Sequence, residues 1–122
     1  MRSILLVVAS LLLGCQATAQ SEASASLDAK DLPAVLSAMV PLMDSGYSEA
    51  QSAELQRLAA SMKVDEDKER TFAIVYKGKA ARLRVVLHCD DVDAYEVWFY
   101  TVPELANRMQ EEIKRVMQRL GR

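Results

Sequence analysis

Between Phe72 and Tyr100, apolar and polar residues alternate with a period of two in three successive runs. Phe72, Ile74 and Tyr76 alternate with Ala73, Val75 and Lys77. Leu83, Val85, Leu87 and Cys89 alternate with Arg82, Arg84, Val86 and His88. Tyr95, Val97 and Phe99 alternate with Glu96, Trp98 and Tyr100. Successive side chains of a strand point to opposite sides, so each run predicts a strand with one apolar face. Lys77-Gly78-Lys79 and Asp90-Asp91-Val92-Asp93 read as turns. Links this short favour an antiparallel meander, and its apolar face needs a cover.

The C-terminal segment is the natural cover. Leu105, Met109, Ile113, Val116 and Leu120 fall on one helical face, while Glu104–Arg108 and Glu111–Arg115 form i,i+4 pairs elsewhere. Thr101 and Glu104 have the spacing of a capping box, Pro103 suits a first turn, and Gly121 suits a stop. Upstream, Asp31 is an expected N-cap, with Leu32, Leu36, Met39, Val40 and Met43 at helical spacing. Pro41 should kink or split that helix. Ser48 and Gln51 form a second capping box, opening a helix with Leu55, Leu58, Ala59 and Met62 on its apolar stripe. The charged run from Lys63 to Arg70 reads as a solvated connection. The expected fold class is α+β in the order α-α-β-β-β-α. Two N-terminal helices precede a three-stranded antiparallel meander, which packs against a C-terminal amphipathic helix.

The N-terminus carries a different message. Behind Arg2 lies the ten-residue apolar run Ile4 to Leu13. At about 1.5 Å per residue it is too short to cross a hydrocarbon core of roughly 30 Å. It fits the apolar region of a signal peptide spanning residues 1–19. Two cuts compete. Leu12-Leu13-Gly14-Cys15 resembles the lipobox of bacterial lipoproteins. That resemblance implies a lipid anchor on Cys15 and, with Gln16 rather than aspartate next, the outer membrane of a two-membrane bacterium. Ala17-Thr18-Ala19 is a small-x-small site that would release a soluble periplasmic or secreted chain. Residues 20–27 are small and polar and read as a flexible tether, leaving 28–122 as a single small domain.

Charge and chemistry narrow the function. The 122 residues carry a formal net charge of −2, and loss of Arg2 with the leader makes this −3. An acidic chain lacks the basic stripe that nucleic acid requires. Cys89 would be the one cysteine left beside a lipidated or removed Cys15, so no disulfide framework is expected. His88, Cys89, Asp90, Asp91 and Asp93 are the only cluster of ligand-type side chains. His88 and Cys89 are strand neighbours pointing opposite ways, and no second histidine exists, so neither a dyad nor a metal site is favoured. There is no phosphate loop and no nucleophile elbow. The chain is therefore expected to be non-enzymatic, without cofactor: an exported envelope protein acting as a binding module for a protein or glycan. Two alternatives are an inhibitor or immunity protein against an envelope-acting toxin or hydrolase, and a small metal-dependent enzyme using His88 and Asp90 to Asp93.

The second sheet face should carry Val75, Arg82, Arg84, Val86, His88, Glu96, Trp98 and Tyr100. Arginine and large aromatics are enriched at binding hot spots, making Arg84, His88, Trp98 and Tyr100 the candidate binding residues. The competing expectation is that the first two helices bury the Val75–Val86–Trp98 centre of this face.

Overall fold

The computed structural model describes residues 21–122, so the signal-peptide reading of 1–19 and the lipidation of Cys15 lie outside the described residues. Strand β1 spans Ser21–Asp28. Helix α1 covers Leu32–Met39, flanked by 3-10 turns at Ala29–Asp31 and Val40–Leu42, and α2 covers Glu49–Ala60. Strands β2 (Asp67–Tyr76), β3 (Lys79–Asp91) and β4 (Ala94–Thr101) follow, and α3 (Pro103–Arg119) ends the described chain. The four strands form one antiparallel sheet in the order β1-β4-β3-β2.

The α+β class and the β2-β3-β4 meander agree with the sequence reading, but the sheet has four strands, not three. Residues 21–27, expected as a flexible tether, belong to β1, which pairs with β4 from Ser21↔Thr101 to Asp28↔Ala94. Its apolar content is slight, yet Ala23 is fully buried opposite Phe99 and Leu27 is buried opposite Tyr95. A strand of alanines and serines needs no amphipathic pattern of its own when a neighbouring strand supplies the hydrogen bonds and the core. The charged run is likewise shorter than expected, because Asp67 to Arg70 are already strand, paired with His88 to Val85.

All three helices contribute to one core with the inner sheet face. Ile74, Tyr76, Leu83, Val85, Leu87, Cys89, Tyr95, Val97 and Phe99 are buried there with Leu105, Met109, Ile113 and Val116 of α3 and with Leu32, Val35, Leu36 and Met39 of α1. Full burial of such side chains contributes about 1.5–3 kcal/mol each. Helix α3 lies across β1 and β4, α2 sits over β2, and α1 fills the space between them. Among the described residues no helix is long and apolar enough to cross a membrane.

Local signals fared unevenly. Ser48 and Gln51 make the reciprocal capping box that opens α2. The Thr101–Glu104 box is not formed. Val102 is the N-cap of α3, while the Thr101 hydroxyl donates to the Arg82 carbonyl at 2.8 Å and Glu104 pairs with Lys77 and Tyr76. Asp31 caps nothing with its side chain; it is buried and accepts two hydrogen bonds from Arg122, at 2.9 and 3.2 Å. Pro41 does end the helical segment, within the 3-10 turn that follows α1. The β2–β3 hairpin turns on Lys77 and Gly78, both at positive φ (51° and 76°), the two-residue turn that suits strand twist.

Candidate functional site

Among the described residues no helix packs on the outer face of the sheet. Antiparallel register places directly opposed residues on the same face, which gives three clear rows. Glu22, Tyr100, Arg84 and Thr71 form one, Ser24, Trp98, Val86 and Glu69 the next, and Ser26, Glu96, His88 and Asp67 the third. Val75, Val86, Trp98 and Tyr100 are partly exposed and none joins the core. The expectation that the first two helices cover the Val75–Val86–Trp98 centre is thus corrected. The physical reason lies in the rest of the face. Around three partly apolar positions it carries Glu22, Ser24, Ser26, Thr71, Arg82 and Arg84, so little apolar area would be gained by seating a helix there. The inner face offers continuous apolar rows, and α1 and α2 bury themselves beside α3 on that side.

The candidate residues Arg84, His88, Trp98 and Tyr100 are all on this open face. Arg84 and Tyr100 are register partners, and the guanidinium carbon lies 4.8 Å from the ring centroid. This is a cation–π distance. The same guanidinium donates through Nε to Glu69 at 2.6 Å. Both groups are largely exposed, so this pair orients Arg84 more than it stabilises the fold. The rings of His88 and Trp98 have centroids 6.5 Å apart, tilted by 49°. Trp98 also walls a shallow hollow of about 220 Å³ with Ser24, Ser26 and Glu96.

His88 is held from two sides. Nδ1 contacts the Asp67 carboxylate, and Nε2 lies 3.0 Å from Oδ1 of Asp90. The hydrogen bond to Asp67 raises the His88 pKa; partial desolvation opposes this, and the Asp67, Asp90 and Glu96 charges reinforce it. With both ring nitrogens facing carboxylates, the protonated ring is favoured more than in a free imidazole.

The segment expected as a turn from Asp90 to Asp93 is shorter, since Asp90 and Asp91 end β3 and only Val92 and Asp93 turn, and its remaining members are occupied structurally. Cys89 is buried on the inner face, opposite in direction to His88, and its thiol contacts the Asp91 carbonyl at 3.1 Å. The Asp91 carboxylate accepts from the Val92 amide at 2.7 Å, and the Asp93 carbonyl accepts from the Ala29 amide at 2.8 Å. Asp90, which faces His88, lies at a register shift between Cys89 and Asp91. Among the described residues no group of three or more His, Cys, Asp or Glu side chains is arranged to hold a metal ion.

Sequence reasoning missed half of the face. Asp67 and Glu69 fall in the charged run expected to be a connection, and Glu22, Ser24 and Ser26 in the expected tether, yet Asp67 partners His88, Glu69 accepts from Arg84, and Glu22, Ser24 and Ser26 pair with Tyr100, Trp98 and Glu96. Their even spacing is the only trace of strand in the sequence, and it carries no apolar signal to raise it above chance. No protein-family model, curated protein or solved structure matches the chain.

Proposed function

We propose that the chain is a non-enzymatic binding module of the bacterial envelope, capturing a partner on the outer sheet face through Trp98, Tyr100, Arg84 and His88. The observation that carries this reading is the face itself: an indole, a phenol and an arginine stacked on it are presented in adjoining rows, with no helix among the described residues over them. Such groups give large contact area at low conformational cost, and the surrounding carboxylates supply a polar rim. Envelope placement rests on the apolar run Ile4–Leu13, and anchoring on the lipobox-like cysteine at Cys15.

The test is site-directed photo-crosslinking in a bacterium that carries the chain with its leader. A photoreactive residue at Tyr100 or Arg84 should give one discrete adduct, lost when Trp98→Ala is added. The same residue at Gln56, on the exposed side of α2, should give none. An adduct pattern that is the same from Gln56, or absent from the face, refutes the binding site. Intact mass of the purified chain tests the placement separately, since a product that retains Met1 refutes export.

A further inference from the structure

Among the described residues β1 is the outermost strand on its side of the sheet, and its edge meets a side-chain amide. Ser24 turns its N–H and C=O away from β4. The side-chain amide of Gln110 on α3 meets both, accepting from the Ser24 N–H at 3.0 Å and donating to the Ser24 carbonyl at 3.1 Å. A primary amide in this geometry reproduces the paired bonds that a neighbouring strand would make. The alternation of the ladder directs Glu22 and Ser26 toward the same edge.

Two hollows flank that edge. On the helix side a cleft of about 530 Å³ is floored by Ala25, Ile113 and Met117, with Lys114 at its rim. On the outer side lies the hollow of about 220 Å³ walled by Ser24, Ser26, Glu96 and Trp98. Both share the segment Ser24–Ser26. A strand laid against β1 would send alternate side chains to these two sides. Apolar side chains suit the Ile113–Met117 floor. Cationic ones suit Glu96 beside the face of Trp98.

We propose that the edge of β1 is a strand-addition site for an extended peptide segment with alternating apolar and basic residues, and that Gln110 occupies the site until such a segment displaces it. This extends the binding reading by naming a second surface, one that works through backbone pairing and needs neither Arg84 nor Tyr100. Gln110 thereby also shields an edge that would otherwise invite indiscriminate pairing.

The probe is a blocked peptide of about seven residues alternating lysine and valine, a usual strand length. It is titrated into the purified full chain and followed at the backbone amides of Glu22, Ser24 and Ser26. In antiparallel addition, a residue opposite Ser24 shares its outer face and turns its own N–H toward β1, so the lysine amides make the bonds. N-methylation of the lysine amides should weaken binding by at least about tenfold, whereas N-methylation of the valine amides should leave it intact. Gln110→Ala should bind the unmodified peptide about tenfold more tightly, because two bonds no longer compete. Equal tolerance or equal loss for the two methylated peptides overturns the proposal, as does failure of both the wild-type and the Gln110→Ala chain to bind the unmodified peptide. Binding that ignores N-methylation but is lost in an Arg84→Ala, Tyr100→Ala chain would overturn edge pairing while leaving the open-face reading standing.

Discussion

Gly46 is where the path of the chain between α1 and α2 is most tightly constrained, and replacing it with alanine should reveal how much. The segment before α2 lies along the free edge of β2. There the Ser45 carbonyl accepts from the Val75 amide at 3.0 Å, and the Asp44 amide donates to the Val75 carbonyl at 2.8 Å. Gly46 sits at φ +97°, and a Cβ there would lie 2.2 Å from the Ala73 carbonyl oxygen and 2.6 Å from the Ile74 Cα. Both neighbours are backbone of a paired strand and cannot step aside. The left-handed conformation alone costs an alanine about 1–2 kcal/mol. Relieving the clash requires the loop to lift, which sacrifices the two bonds that Ser45 and Asp44 make with Val75, at about 0.5–1.5 kcal/mol each. Gly46→Ala should therefore destabilise the domain by about 2–5 kcal/mol, a fall in Tm on the order of 10–25 °C for a domain of this size. Gly78→Ala is the matched control. Gly78 has φ +76° but a Cβ there meets nothing within 4 Å, so only the conformational cost of about 1–2 kcal/mol remains. Urea denaturation of both variants measures the difference. Equal losses for the two would refute the reasoning, because they would mean the chain does not cross the β2 edge as closely as described.

Three further outcomes are expected. Phe99→Ala, at a fully buried inner position, should cost about 3–5 kcal/mol in denaturant unfolding, whereas the adjacent Trp98→Ala should cost less than half of that; comparable losses would mean the outer face is covered. His88 has a raised pKa in the folded chain, so its contribution to stability is complete below the unfolded-state value of about 6.5 and is lost as pH rises through the folded value. An NMR titration of the imidazole should show that elevation and its collapse in Asp67→Asn; an unchanged titration in that variant would exclude Asp67 as the main cause. Arg122 holds the Asp31 carboxyl below the usual carboxylate range, so this pair stabilises the fold above the unfolded carboxylate value and ceases to do so as pH falls through the lower folded one. Arg122→Ala should lower Tm at neutral pH and raise the Asp31 pKa, with Asp31→Asn in the same chain recovering part of the loss; a Tm unchanged by Arg122→Ala would show the pair to be dispensable.

How much was legible follows from where the information sits. The strands from Phe72 to Phe99 and the helix from Pro103 write their structure in side-chain periodicity, because each must hide one face by itself, and both are found where that periodicity places them. The Ser48–Gln51 cap is legible for the same reason: donor, acceptor and spacing all lie within four residues. Other short motifs are overruled by partners distant in sequence. Thr101 spends its hydroxyl on the Arg82 carbonyl, and Asp31 turns from the helix end to a guanidinium 91 positions away. Of the candidate site, Arg84, His88, Trp98 and Tyr100 could be put on one face by parity alone, but whether that face is open could not.

The sequence by itself therefore determined the class of fold, the inner and outer parity of the meander and the amphipathic cover supplied by α3, since these depend only on the order of apolar residues along one segment. Only the tertiary structure decided that Ser21–Asp28 is a strand, that all three helices crowd one side of the sheet, and that Gln110 occupies the edge of β1. Each of these is a choice among partners, set by which long-range contacts bury the most apolar surface and satisfy the most backbone bonds, and no local pattern encodes that comparison.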